Sequence, residues 1–300
     1  MGGRKGGVAF FDSGIGGLTV VDACRKWLPN KLFYYYGDNK HAPYGNLSPN
    51  TIKKYVFRIF KRFEKMKVDV AVVACNTVTA VCIEDLRARF SFPIIGIEPA
   101  VLPAASCCGE VYVLTTRRTY ESRRFRKLCS RAEKLFPETK ISLFPCDHLA
   151  GLIERNIFEK GFDYTPYLPK GNPDAVVLGC THYGYLMDQL KGFYRDPIFD
   201  GNQGVARQLM RVLFDENVFS EHLQPPDNHF QPFEAKSGQN RRKKRGGGGT
   251  RAGVFQGVHL FSKVRRKDGE NSNKNRTNGG IIFLGKGKKY NKAVYEHLFL

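Results

Sequence analysis

Asp69-Val70-Ala71-Val72-Val73-Ala74-Cys75-Asn76-Thr77 runs through small and β-branched apolar residues and then changes to a thiol, an amide and a hydroxyl. Asp174-Ala175-Val176-Val177-Leu178-Gly179-Cys180-Thr181-His182 repeats the form with an imidazole at its end. A short, continuous apolar run reads as a strand buried on both faces, and the switch to polar side chains marks where the chain leaves the sheet. Two thiols at two such ends suggest one site approached from two sides.

Working outward, Val8–Phe11 reads as a strand closed by the turn Asp12-Ser13-Gly14-Ile15-Gly16-Gly17, with helical spacing over Leu18–Leu28. Leu32–Tyr36 is a second strand. Ser48-Pro49 is an N-cap with proline at the first helical position. Ile52, Tyr55, Val56, Ile59, Phe60, Phe63 and Met66 then recur at three and four residues, the clearest amphipathic helix in the chain. The alternation continues. Strands are expected at Val70–Ala74, Ile94–Ile97, Val111–Leu114, Ile141–Phe144, Ala175–Leu178 and Pro197–Phe199. Helices are expected at about 77–89, 119–136 and 149–158, after Cys180, and over Gln203–Phe214. This is the pattern of an α/β fold with mainly parallel sheets covered on both faces. Ligands of such sheets bind beyond the carboxyl ends of the strands, where Asp12, Asp38, Cys75, Glu98 and Cys180 all fall.

The composition supports a sizeable core, with 42% hydrophobic and 13% aromatic residues among 300. The net charge of +20 is uneven: from Lys236 onward there are 17 Lys and Arg against 3 Asp and Glu, leaving +6 in residues 1–235. Arg241-Arg242-Lys243-Lys244-Arg245 precedes four glycines, and Gly, Asn and Lys dominate residues 268–280, so 239–300 is expected to be a largely disordered basic tail. Its charge makes it a candidate contact for nucleic acid or an acidic membrane. None of the eight cysteines forms C-x-x-C, and no zinc spacing occurs. With no signal peptide or long apolar span, a reduced cytoplasmic protein is the economical reading.

Familiar nucleotide and hydrolase motifs fail. G-x-G-x-x-G from Gly14 would need glycine where Thr19 stands, and a nucleophile elbow would need it where Phe11 stands. A cysteine-phosphatase loop would need arginine at Val81 or Leu186. Two opposed thiols suit a different reaction. The α-proton of an amino acid is weakly acidic, and its removal needs a positioned base shielded from water. If one thiolate takes the proton from one face and a thiol on the other face returns one, the centre inverts. A free thiol has a pKa of about 8.5, so neighbours must help, and Asp12 and His182 stand ready. Ser13, Asn76, Thr77 and Thr181 offer hydrogen bonds to substrate carboxylates, and Asn76 also offers an acceptor for the ammonium group.

Phe11–Val20, Gly37-Asp38, Pro43-Tyr44-Gly45, Ala74–Thr77, Ile95–Ala100 and Leu178–Tyr183 resemble, in order over about residues 7–238, the glutamate racemases of the aspartate/glutamate racemase family. The resemblance implies cofactor-independent interconversion of L- and D-glutamate, supplying D-glutamate for peptidoglycan. It implies two pseudo-symmetric lobes with the site between them: residues 1–98 completed by 206–238, and residues 99–205. Cys75 and Cys180 would be the acid/base thiols, assisted by Asp12 and His182. Asp12, Ser13, Tyr44, Gly45, Asn76, Thr77, Thr181 and His182 would line the substrate pocket, with Glu154 behind the second thiol. No metal or other cofactor is implied, and a homodimer is. Two departures stand out: Gly184 replaces the proline that usually follows Gly-Cys-Thr-His-Tyr, and the final helix of the first lobe is replaced by the basic tail. Racemisation of aspartate or another amino acid on the same scaffold is the near alternative, and nucleic-acid binding through the tail the distant one.

Overall fold

Val8–Asp12 (β1) is buried at every position and lies at the centre of a five-stranded sheet. Phe33–Gly37 (β2) and Val70–Val73 (β3) flank it, with Ile94–Gly96 (β4) outside β3 and Ile281–Phe283 (β9) outside β2. Glu110–Thr115 (β5), Lys140–Pro145 (β6), Ala175–Gly179 (β7) and Ile198–Phe199 (β8) form a second sheet in the order β6-β5-β7-β8. Every pairing in both sheets is parallel. This computed structural model describes residues 6–194, 197–214 and 280–300. All belong to one compact unit, Met1–Pro226 with Thr277–Leu300; a second unit, Asp227–Arg276, lies outside the described residues.

Parallel strands need helical crossovers, and the helices cover both faces. On one face of the first sheet, Leu18–Trp27 (α1), Asn202–Leu213 (α9) and Lys288–Phe299 (α10) pack through Leu18, Val21, Leu209, Met210, Val294 and Tyr295. On the other lie Pro49–Met66 (α2) and Asn76–Arg89 (α3), bringing Ile52, Val56, Phe60, Phe63, Ile83 and Leu86. Ser48 caps α2 by accepting from Thr51 N at 3.2 Å. The second sheet is covered by Val101–Ala105 (α4) and Arg123–Leu135 (α6) on one side, and by Leu149–Asn156 (α7) and Met187–Tyr194 (α8) on the other.

Three expectations are corrected. The helix expected over 119–136 is two, Arg117–Glu121 (α5) and α6, because Ser122 adopts extended backbone and caps α6 through Phe125 N at 3.1 Å. After Cys180 a 3₁₀ turn, Thr181–Leu186, precedes α8 and carries Gly184. The largest correction concerns the tail. Its last part is ordered: β9 pairs with β2 in the register Phe33↔Ile281, Tyr34↔Ile282, Tyr35↔Phe283, and α10 buries Asn291, Val294 and Tyr295. An apolar island too short to stand out against a lysine- and glycine-rich background is held by a sheet edge that needed a partner. Residues 215–279, which include the late family-like segment His229–Gly238 and the Arg241–Arg245 run, lie outside the described residues. Among the described residues no helix is long and apolar enough to cross a membrane.

Candidate active site

Each strand end delivers one reactive side chain. Asp12 closes β1 and is fully buried; Ser13 follows it. Cys75 leaves β3 with extended backbone and immediately precedes α3, whose first residues are Asn76 and Thr77. Cys180 leaves β7 in the same way and precedes the 3₁₀ turn that begins Thr181-His182. The two thiols are 5% and 8% exposed, so both are shielded from water yet reachable.

Around Cys75, Ser13 Oγ lies 3.5 Å from the sulfur and the backbone N–H of Val78 points at it. Burial pushes this thiol far up, and the Asp12 carboxylate and the Cys180 sulfur push it further, against the help of Ser13 and Val78 N–H. The Cys180 sulfur is thus close enough to act on Cys75. Around Cys180 the arrangement is a relay. His182 Nδ1 is 3.7 Å from the Cys180 sulfur, and His182 Nε2 is 2.8 Å from Glu154 Oε1. The same Glu154 oxygen accepts the backbone N–H of Ile15 at 3.2 Å. Burial opposes a charged imidazole, but the bonds to Cys180 and Glu154 outweigh it and hold His182 well above its ordinary value.

Asp12 lies between the two halves. Burial raises its carboxyl to about 6, with nearby His182 pulling down and Glu154 pushing up. It accepts from Thr181 Oγ1 at 3.5 Å and from Gly14 N at 3.5 Å. The direct neighbour of the Cys75 sulfur is thus Ser13, with Asp12 acting through its charge.

The remaining expected residues divide. Asn76 is buried and its Oδ1 has no hydrogen-bond partner among the described residues, an acceptor in place for a ligand donor. Thr77 Oγ1 is shared with Thr116 Oγ1 at 2.9 Å and Thr119 Oγ1 at 3.4 Å. Tyr44 is buried but its hydroxyl donates to Asp38 Oδ2 at 2.6 Å, so it offers the site a ring wall. A Cβ on Gly45 would meet Thr116 Cβ at 3.2 Å, which places this turn against the end of β5. Glu98 lies apart from the cluster and binds Arg124 Nε at 2.6 Å. A small cavity of about 10 Å³ opens between Asn76, Cys180, Thr181 and Asp200. That is room for about one water.

Sequence reading missed Thr116, Thr119 and Asp200. All follow strand ends, β5 and β8, so the rule that marked Cys75 would have found them. Asp200 is held up by burial and accepts from Asn202 N at 3.0 Å.

Residues 19–209 match the profile of the Asp/Glu/Hydantoin racemase family. The chain belongs to that family. Glutamate racemase of Clostridium acetobutylicum is 37% identical over 217 residues, which cover 69% of this chain and 83% of the relative. Glutamate racemase of Clostridium perfringens is 37% identical over 226 residues, 71% of this chain and 85% of the relative. Among solved structures, Escherichia coli glutamate racemase in complex with L-glutamate and the activator UDP-MurNAc-Ala superposes with a TM-score of 0.64 at 31% identity, over 74% of this chain and 85% of that one. The Francisella tularensis enzyme in complex with D-glutamate gives 0.59 at 27% identity, over 74% and 86%. With such relatives on both counts, this family member is an amino-acid racemase, an isomerase.

Proposed function

We propose that this racemase interconverts L- and D-glutamate by two-base proton transfer, with Cys75 serving one face of the α-carbon and Cys180 the other, without a cofactor. The observation that carries the reading is the pair of buried thiols at matched strand ends, with the Cys180 sulfur acting on Cys75. Their surroundings differ in a way that assigns resting states. The Cys180–His182–Glu154 relay holds an imidazolium beside the Cys180 sulfur. Burial favours the neutral thiol at Cys75. Cys180 is then the resting base and Cys75 the resting acid. After one turnover the roles are reversed, and Asp12, with its carboxyl near 6, is placed to pass the proton that resets them.

Ser13, Thr77 and Thr181, with the first-turn N–H groups of α3, form the carboxylate-binding surface, and Asn76 Oδ1 accepts from the substrate ammonium. That ammonium lowers the cost of the thiolate left at Cys75 once it has given its proton. The D-glutamate formed would feed peptidoglycan precursor synthesis in the cytoplasm.

Circular dichroism with L-glutamate, together with α-deuteron incorporation in heavy water, tests the reading. Cys75→Ser and Cys180→Ser are each expected to lower racemisation by about 10²–10⁴-fold, the usual weight of a positioned acid or base. Full activity in either variant removes that residue from the mechanism. Faster turnover of aspartate than glutamate reassigns the substrate.

A further inference from the structure

On α6, Arg123, Arg126, Lys127, Ser130, Arg131 and Lys134 fall at three- and four-residue steps and share one exposed face. With Leu135 they line an open groove of about 600 Å³ that has no acidic side chain in its wall. Among the described residues none of the five cations has an ion pair or hydrogen bond. Their neighbours do. Arg124 pairs with Glu84 and Glu98, Arg117 with Asp147, Arg118 with Glu121 and Lys140 with Glu110. Five unneutralised cations on one short helix repel one another, so this face lacks the counter-charge that the arginines and lysine just named have.

We propose that the basic face of α6 binds the phosphate backbone of a nucleic-acid duplex. The spacing carries the choice. From Arg123 to Lys134 the helix rises about 16 Å at 1.5 Å per residue. One DNA strand presents about five phosphates over that length, at 3.4 Å of axis each, which matches the five cations. Three of the five are arginines, whose planar forks suit phosphate oxygens. A groove receives a ridge such as a sugar-phosphate backbone. A bilayer would instead need several apolar side chains on the outer face, and in the groove wall Leu135 alone is apolar. The apolar face of α6, Phe125, Cys129 and Ala132, is buried in the core. The contact is to backbone, so it is indifferent to base sequence.

The test is fluorescence anisotropy of a short labelled DNA duplex with the full chain, across about 50–200 mM salt. Arg126→Ala, Lys127→Ala and Arg131→Ala together are expected to lower the slope of log affinity against log salt by about 3, at about 0.9 per phosphate contact, while racemase activity stays at the parent level. Arg131→Ala alone, the gentler change, lowers it by about 0.9. The same losses from the α6 substitutions are expected in a chain whose Arg241–Arg245 are already replaced by alanine, which separates this face from the tail. No duplex binding by the parent overturns the proposal. So does a triple variant with the parent's slope, or a loss that appears only with phosphatidylserine vesicles and not with duplex.

Discussion

Glu154 Oε1 meets both His182 Nε2 and the backbone N–H of Ile15, so one oxygen orients the imidazole and fixes the loop after β1. Glu154→Gln keeps the shape and removes the charge. A charge-assisted bond contributes about 1.5–3 kcal/mol, so kcat/KM is expected to fall by about 10–100-fold. His182 would also lose its proton at lower pH, and the basic limb of the pH profile should move down; an unmoved limb would deny Glu154 this role. Asp12 makes a prediction of opposite sign. Its carboxyl is near 6 in the fold against 3.8 when unfolded, so the folded state binds the proton more tightly. That contribution is fully present below pH 3.8 and is lost as pH rises through about 6, roughly 3 kcal/mol in all at 1.36 kcal/mol per unit. Asp12→Asn abolishes the titration. Urea unfolding across that window should show the parent losing about this much relative to the variant as pH rises; parallel curves would contradict the burial argument.

At the scale of elements, β9 and α10 complete the first lobe. Leu284 N donates to Tyr35 O at 2.8 Å, and the buried Asn291 places its Nδ2 3.5 Å from Gly37 O. Tyr290 donates to the backbone oxygen of Glu154 at 3.0 Å, so α10 also steadies the residue behind His182. Val294→Ala deletes two buried methyl groups and is expected to destabilise by about 2 kcal/mol, read as a lower urea midpoint. Removing residues 280–300 exposes the β2 edge and the underside of α1, and soluble, active protein after that truncation would show the added strand and helix dispensable. Composition hid these elements: averaged over 239–300, the chain looks too charged and too glycine-rich to fold.

For the whole molecule, the two sheets' layers meet at the loop after β1 and at the start of α3. Tyr185 donates to Ile15 O at 2.6 Å, Thr181 reaches Asp12, and Thr77 reaches Thr116. A Cβ on Gly16 would stand 2.6 Å from His182 Nδ1 and 2.7 Å from its backbone nitrogen. Gly16→Ala therefore wedges the lobes apart by a fraction of an ångström to an ångström. Since misplacement of that size costs about 10²-fold, the loss should fall on kcat with little change in far-ultraviolet circular dichroism. Parental kcat would mean that the lobes do not close on this contact.

Local periodicity alone determined the alternating strands and helices, the parallel sheets, and the placing of Cys75, Cys180 and Asp12 at strand ends, because a buried strand tolerates only apolar residues until it leaves the sheet. Which side chains meet was decided by tertiary structure. Ser13 touches Cys75 across 62 positions, Glu154 reaches His182 from another helix, and Ile281–Phe283 finds β2 from the far end of the chain. Such contacts depend on register and packing between distant segments, and neither leaves a local pattern to read.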